Sequence, residues 1–353
     1  GTPRTMQTLD TIGRYCLLGL LAGSATAETS PLPPIFVTAS RVAEGPQDVL
    51  YSTSVVTREE LQDAQAGDVA EALRRLPGIQ IGRNGGAGQT ASAFIRGAAS
   101  DHTLVLIDGV PINSGTVGSA ALQHLMTDQI ERIEYLRGPG STLYGSGAIG
   151  GVIQIFTRRA GPGASAQIVA GAGSKSTAHY AGSAAYGGED LSAAVSISRH
   201  DTRGYPTRPS LSPVDRGYEN ESFNGSVGTS VDDVDLEFSY FRSEGFVEYV
   251  NFFGSAVDQD TINSVMRLVV EYSPNARWDS RLLLGRTRDE IEENQSADFA
   301  DTERDYIDWQ NTFELGAQQT LVAGVTASWT DTDLLSFGSG YDEDTRSVEV
   351  YLQ

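Results

Sequence analysis

The sequence predicts an all-β membrane protein, in which a transmembrane antiparallel β-barrel follows a small N-terminal α+β domain. Three observations lead to this prediction. From Ala166 onward, apolar and polar residues alternate in segments of about ten residues, as in barrel strands that face lipid on one side. Short turn sequences alternate with longer polar stretches between these segments. Before residue 160 the pattern is different, because short apolar runs, glycine turns and two helix-start signals follow one another.

Residues 1–27 have the organisation of a secretory signal peptide. Arg4 and Arg14 precede the apolar run 15–22, and Ala25-Thr26-Ala27 supplies the small residues of a cleavage site. An N-terminal core helix is the alternative interpretation. The single cysteine, Cys16, lies inside this segment, so we expect the mature chain to have no disulfide and no thiol chemistry.

Residues 28–45 form a linker that contains one β-prone pentapeptide. Pro31 to Pro34 predict an extended lead-in, and Ile35-Phe36-Val37-Thr38-Ala39 follows it. A free-standing segment of this kind can add itself as a strand to the edge of another sheet. The alternative is an ordinary first strand of the N-terminal domain.

Residues 46–159 are predicted to form the compact α+β domain. Thr57 to Glu60 is a capping box that starts one helix, and Asp68 to Glu71 starts a second helix that Pro77-Gly78 should end. The run Leu104 to Ile107 is apolar throughout, so we expect a strand covered on both faces. Asp108-Gly109 should turn the chain at the end of that strand.

Residues 160–353 are predicted to form barrel strands. Leu191, Ala193, Val195 and Ile197, for example, alternate with small polar residues. We predict short turns at 187–190, 231–233, 274–276 and 316–318, and connections at 173–176, 200–222, 245–262, 291–303 and 331–345, all long except the first. This gives about ten strands. Because the sequence ends inside an alternating segment, we expect a fragment that lacks the C-terminal half of its barrel.

Motifs for catalysis are missing from the sequence. Gly145 to Gly150 satisfies G-x-G-x-x-G, but β-branched residues follow it where a dinucleotide site needs a helix. The four histidines show no metal-ligand spacing, and no nucleophile elbow occurs. The net charge is −21, with 13 basic against 32 acidic residues after residue 159, which argues against a nucleic-acid partner. We therefore expect a protein that is not an enzyme.

Four segments occur in an order that closely resembles the plug domain of the TonB-dependent outer-membrane receptors, and within them the cobalamin (vitamin B12) receptor group. They are 93–97 (AFIRG), 103–113 (TLVLIDGVPIN), 130–139 (IERIEYLRGP) and 143–153 (LYGSGAIGGVI). The resemblance implies a plug at 46–159 inside a barrel of about 22 strands when complete. It implies a monomer in the outer membrane of a Gram-negative bacterium, surrounded by lipid and lipopolysaccharide. It also implies that Ile35, Phe36, Val37, Thr38 and Ala39 are the TonB box, which pairs with the energy-coupling protein TonB.

The resemblance also implies binding and anchoring residues. Two polar, glycine-rich plug loops should rise to the extracellular face and touch the ligand through Asn84, Gly85, Gly86, Gln89, Asn113, Thr116 and Gly118. The plug arginines Arg96 and Arg137 should pair with carboxylates inside the barrel, for which Glu237, Asp308 and Glu314 are candidates. A buried arginine without a partner would be costly.

Calcium is a further expectation for the outer loops. Cobalamin receptors order two such loops with Ca²⁺, and hard oxygen donors in flexible loops suit that ion. The candidate ligands here are Asp201, Asp215, Asp258 and Asp260. The sequence departs from the closely spaced aspartates of the group, because Arg216 stands where an acid is expected.

These observations predict TonB-dependent active transport of a scarce nutrient across the outer membrane, with cobalamin as the expected cargo. A ferric siderophore or haem receptor of the same family is the nearest alternative. A passive porin belongs to another class, but it would not need a plug or the segment 35–39. A signal-transducing receptor would need an extra domain before that segment, and a soluble secreted β-protein would not need one lipid-facing side.

Overall fold

The computed structural model describes residues 52–138, 140–251, 253–316 and 319–353. The predicted signal peptide and the predicted TonB box, Ile35–Ala39, lie outside these residues. In chain order the plug comprises β1 (Ser52–Thr57), α1 (Arg58–Ala64), α2 (Val69–Leu73), β2 (Ile79–Arg83), β3 (Ala91–Ile95), β4 (Thr103–Ile107), β5 (Val110–Pro111), β6 (Ile130–Arg137), α3 (Ser141–Tyr144) and β7 (Gly151–Thr157).

The plug is built on a five-stranded mixed sheet with the order β1-β6-β7-β4-β5. Strand β4 runs parallel to β7, and the other neighbours are antiparallel. Strands β2 and β3 form a separate hairpin. The predicted apolar strand is therefore confirmed as β4, in which four of five residues are buried. Asp108 and Gly109 follow it with φ of +49° and +89°, which confirms the tight turn.

Both helices begin where their capping residues predict. The Thr57 hydroxyl accepts a bond from the backbone N–H of Glu60, whose carboxylate accepts from the N–H of Thr57 at 2.9 Å. Asp68 caps α2 through the N–H of Glu71 at 2.8 Å. Helix α2 ends at Leu73, however, before the predicted stop at Pro77-Gly78. Beyond Leu73 the backbone N–H groups of Arg75 and Leu76 bond the carbonyls three residues earlier, so the α-helix tightens into a turn before Pro77.

The second part of the chain is one antiparallel sheet of ten strands in sequential order, which we call the wall. This number agrees with the predicted count. The strands are β8 (Gly163–Ala172), β9 (Ala178–Gly187), β10 (Leu191–Tyr205), β11 (Arg216–Val231), β12 (Val234–Val250), β13 (Ala256–Asn275), β14 (Trp278–Glu293), β15 (Phe299–Gly316), β16 (Gln319–Ser336) and β17 (Ser339–Leu352). None of the helices in the described part of the chain has the length and apolarity needed to cross a membrane.

The two faces of the wall differ as the alternation predicts. In β10, Val195 and Ile197 are exposed on the outer face, whereas Ser196 and Ser198 are buried on the face toward the plug. In β15, Trp309 is exposed and Asp308 is buried. Apolar side chains therefore cover the side that meets lipid, and polar ones line the interior.

The predicted long loops are mostly wrong, because the strands continue into them. Strand β13 has 20 residues and β16 has 18, although about 9–11 are enough to cross a membrane. The connections shrink to 206–215, 251–255, 294–298 and 337–338. Charged residues in these stretches pair across strands, as Arg288 does with Asp301 at 2.9 Å. Polar residues on both faces therefore show where a strand leaves the lipid, but they do not show where the strand ends.

Candidate plug and outer-loop site

The first predicted ligand loop, residues 83–89, packs closely on the wall. Gln89 is buried, and its side-chain amide donates to the carbonyl of Glu248 at 3.4 Å. Gly88 has φ of +71°, and a Cβ there would collide with the ring of Tyr218. Gly86 is buried, and a Cβ on it would lie 3.6 Å from the ring of Tyr205. Small residues in this loop therefore allow the backbone to approach two tyrosines.

A cavity of about 380 Å³ opens between this loop and the wall, at the end opposite the short turns. Two predicted ligand residues, Asn84 and Gln89, line it, and Gly85 and Gly86 are adjacent in the loop. The other lining residues are Gly88, Thr90, Thr207, Arg208, Val247, Tyr249, Val250, Asn251 and Gln259. Sequence reasoning missed the wall residues. They lie on β12, on β13 and in the connections 206–215 and 251–255, and only the pairing of β10 to β13 brings them together.

The chemistry of this cavity is polar but almost uncharged. Amide and hydroxyl side chains provide both donors and acceptors, and Arg208 is the one charged residue among those that line it. Such a lining can bind a ligand rich in amides and carbonyls. It offers no cluster of cations for a multiply charged anion.

The second predicted loop, residues 113–119, does not share this cavity. Asn113 uses its side chain inside the plug: Oδ1 accepts from the N–H of Val105 at 2.8 Å, and Nδ2 donates to the carbonyls of Thr103 and Gly118. The Thr116 hydroxyl bonds that of Ser114 at 2.9 Å. The side chain of Asn113 therefore stabilises the plug, and its contact with a ligand stays a prediction.

Gly118 has φ of +70°, and a Cβ there would lie 2.7 Å from the Cβ of Asp101. Together with Asn113 it borders a second cavity of about 280 Å³ between plug and wall. The predicted single site is therefore split between two cavities, of which the first is open to the outer loops.

A buried histidine joins the plug to the wall beneath the first loop. The Nδ1 of His124 lies 3.0 Å from the hydroxyl of Tyr218, and its carbonyl accepts from Ser243 at 2.6 Å. Burial lowers the pKa of His124 to about 4, so the imidazole is neutral at physiological pH.

The structure does not bring Arg96 or Arg137 to the predicted carboxylates. Arg137 donates to the carbonyls of Ser52 and Thr53 in β1, at 3.5 and 3.0 Å. Arg96 is exposed in a turn with φ of +49°. Within the described ranges neither makes an ion pair. Arg137 lies on β6 next to the edge strand β1, and its side chain therefore bonds β1 within the plug.

Other charged residues make the plug–wall contacts. Arg159 bridges Asp108 of the plug and Glu237 of the wall, at 3.3 and 3.0 Å, and Arg267 binds the same Glu237 at 2.6 Å. Arg304 of the wall donates to two plug carbonyls, those of residues 111 and 113, at 3.1 and 3.0 Å. Of the predicted partners, Glu237 therefore serves Arg159 and Arg267.

The other two predicted partners also lie with different residues. The carboxylate of Asp308 is 4.0 Å from Arg281 and accepts from Thr326 at 3.0 Å. The carboxylate of Glu314 accepts from the Thr320 hydroxyl at 3.2 Å. Sequence indicated which carboxylates face the interior but not which cations would reach them.

An apolar contact adds to these polar ones. Val110, at the tip of the β4–β5 hairpin, is fully buried and lies over Gly285 of β14. A Cβ on Gly285 would lie 2.7 and 2.8 Å from the two methyl carbons of Val110. Leu283 packs in the same core cluster. The missing side chain of Gly285 therefore forms the notch that receives Val110.

The four predicted calcium ligands do not form a cluster. Asp201 is bound by Arg199 through two bonds of 2.9 and 3.0 Å, and Asp258 accepts from the amide of Gln295 at 2.8 Å. Asp260 lies in β13, whereas Asp215 precedes β11. No group of three or more metal-binding side chains occurs among residues 52–353 that the structure describes. Calcium binding stays a prediction.

Comparisons with known proteins agree with this architecture. Residues 45–152 match the family described as TonB-dependent Receptor Plug Domain. The chain is 35% identical over 336 residues to the "Vitamin B12 transporter BtuB" of Photobacterium profundum, covering 92% of this chain and 54% of that protein. It therefore spans about half the length of this relative.

Solved receptors show the same fold at lower identity. The siderophore receptor PirA from Acinetobacter baumannii superposes with a TM-score of 0.69 and 20% identity, covering 90% of this chain and 55% of that chain. The pyoverdine outer membrane receptor FpvA from Pseudomonas aeruginosa PAO1 gives 0.76 and 14%, covering 89% and 55%. The plug match, the related sequence and the shared fold confirm the resemblance: residues 45–152 form the plug domain of the TonB-dependent receptor family, and the rest of the chain has the fold of such receptors.

Proposed function

We propose that this receptor carries out TonB-dependent active transport of cobalamin across the outer membrane. The observation that carries the proposal is the cavity beside the first plug loop, which is lined by amides and hydroxyls with a single charged residue. The 35% identity to a protein named as a vitamin B12 transporter supports it. The family supports TonB as partner, and Ile35–Ala39 is the segment proposed to pair with it.

The lining favours cobalamin over the nearest alternative. Cobalamin presents many neutral amide groups, which match the side chains of Asn84, Gln89, Asn251 and Gln259. A ferric siderophore or haem carries several carboxylates, catecholates or similar anionic groups and would require more cations in the lining. The solved receptors similar to this chain include siderophore receptors, so that cargo stays the second candidate.

In the proposed mechanism the ligand binds between the first plug loop and the outer strands. TonB then takes up the segment 35–39 as an added strand, and force on it rearranges the plug. The energy comes from the partner. The receptor's own residues therefore only bind the ligand, hold the plug in the barrel and allow the plug to rearrange under force. A passive porin would require none of this, and the filled plug–wall interface around Val110 and Glu237 opposes free diffusion.

Two measurements test this function on the full-length receptor. The first is a binding titration with cobalamin and with a ferric siderophore, each with and without Ca²⁺. Tight binding of cobalamin alone supports the proposal, and tight binding of the siderophore alone overturns it. A dependence of affinity on Ca²⁺ would support the proposed role of Asp201, Asp215, Asp258 and Asp260.

The second measurement compares uptake in cells with and without the energy supply. Active transport predicts that surface binding persists without energy while accumulation stops. Equal accumulation under both conditions would favour the porin. Ligand release, monomeric state and contacts with lipopolysaccharide belong to the same proposal and rest on the family alone.

A further inference from the structure

Arg208 is the one charged residue in the lining of the 380 Å³ cavity. It lies in the connection between β10 and β11. One guanidinium nitrogen, Nη1, donates to the carbonyl of Asn251 at 2.9 Å, and that residue follows β12. The backbone carbonyl of Arg208 accepts from the N–H groups of Leu211 and Ser212, both at 2.9 Å. Backbone and side chain together therefore hold this arginine between two outer connections.

The guanidinium retains most of its hydrogen-bonding capacity. Arginine has five N–H donors, and the contacts among the described residues use one of them, toward Asn251. No carboxylate lines the cavity, so the cation has no competing partner in the lining. Its side chain is exposed, so the charge needs no buried partner for stability. A fixed, accessible cation in a neutral polar wall is suited to a ligand with one anionic group.

The anionic group must also fit the geometry of arginine. The planar fork of N–H donors binds two oxygens of a phosphate at once, and the charge shortens and strengthens these bonds. Cobalamin has one phosphodiester, which links its corrin side chain to the nucleotide, and its remaining side chains end in neutral amides. A single arginine among amides therefore matches the charge distribution of this ligand.

We propose that Arg208 binds the phosphodiester of cobalamin and so selects corrinoids that carry the nucleotide, an inference that rests on the proposed function. Asn84, and the polar atoms of Gln89 and Asn251 that Glu248 and Ser255 do not use, are then available to the amide groups. The Asn251 contact fixes the direction of the guanidinium before the ligand arrives. Specificity for the nucleotide would reside in the connection between β10 and β11, and recognition of the corrin amides in the plug loop and Asn251.

The test measures affinities of the full-length receptor for cobalamin and for cobinamide. Cobinamide has the same corrin ring and amides but lacks the phosphodiester and nucleotide. Arg208→Gln removes the charge and keeps a donor for the carbonyl of Asn251. We expect it to weaken cobalamin binding about tenfold, as the loss of one charge-assisted bond pair does, and to leave cobinamide binding within about twofold.

Arg203→Gln is the matched control. Arg203 lies in β10, is exposed and does not line the cavity, so its loss changes the net charge by the same amount. We expect it to change neither affinity by more than about twofold, whereas Arg208→Lys should lose an intermediate share for cobalamin. The proposal is overturned if Arg208→Gln weakens both corrinoids equally, or neither. If the wild-type receptor binds neither corrinoid, the proposed function itself fails and this inference falls with it.

Discussion

The contact between Val110 and Gly285 makes a prediction that can be worked through from the structure. Gly285→Ala adds a Cβ at 2.7 and 2.8 Å from the methyl carbons of Val110, where carbon atoms prefer about 3.5–4.0 Å. Val110 is fully buried and cannot move into solvent. Overpacking of this kind costs about 1–3 kcal/mol, so the β4–β5 hairpin should dock less tightly.

A second substitution, Val110→Ala, should relieve the clash. Val110→Ala alone removes two buried methyl groups and should cost about 2 kcal/mol. In the double variant the two Cβ atoms would be 3.4 Å apart, which is tight but tolerable. We therefore expect the double variant to be no less stable than Val110→Ala alone. This corresponds to a favourable coupling energy of about 1–3 kcal/mol.

Hydrogen exchange of the backbone amides of residues 103–110 measures this effect in the full-length receptor, because it gives the free energy of local opening. Gly340→Ala in β17 is the control, since the nearest atom to a Cβ there is a carbonyl oxygen at 4.0 Å. Simply additive losses in the double variant would refute the notch as the reason for the glycine at position 285.

Three further predictions concern the plug and the segment before it. Val37→Pro removes a main-chain donor and fixes φ, so it should leave surface binding unchanged and abolish energised uptake. Val37→Ile is the control and should change neither property. Normal uptake by the proline variant would make the segment an ordinary strand. Asn113→Ala should lower the free energy of unfolding of the plug by about 2–3 kcal/mol, while Thr116→Ala changes it by less than about 1 kcal/mol; unaltered urea denaturation together with lost binding would return Asn113 to the ligand site. The depressed pKa of His124 means that the unfolded chain takes up a proton at this histidine before the folded chain does, so the free energy of unfolding should fall as pH drops from 6.5 toward about 4. The melting temperature of His124→Gln should lose this part of its pH dependence. An unchanged pH profile in the variant would contradict this role of His124.

The sequence predicted features set by neighbouring residues and missed those set by distant ones. The caps at Thr57 and Asp68 and the turn at Asp108 depend on residues within four positions, and all three were predicted. Arg137 was assigned the wrong contacts, because its partners, the carbonyls of Ser52 and Thr53, lie on a strand far away in the chain. Motif resemblance indicated a candidate binding loop but could not select among its polar residues.

The wall shows a second kind of limit. Alternation predicted the number of strands and the direction of their side chains, since both follow from a period of two. It did not predict where the strands end beyond the membrane. There, neither face is apolar, and only cross-strand pairs such as Arg288 with Asp301 indicate that the ladder continues.

The length of those strands has a consequence for ligand capture. Strands β11 to β16 have 16 to 20 residues, so roughly a third to a half of each stands outside the lipid as paired sheet. Their backbone entropy is lost during folding and not at the moment of binding. A ligand that enters between them meets a preorganised rim. Few loop residues have to become ordered when it binds, so the entropic cost of association should be small. For the same reason, the affinity should depend only weakly on temperature.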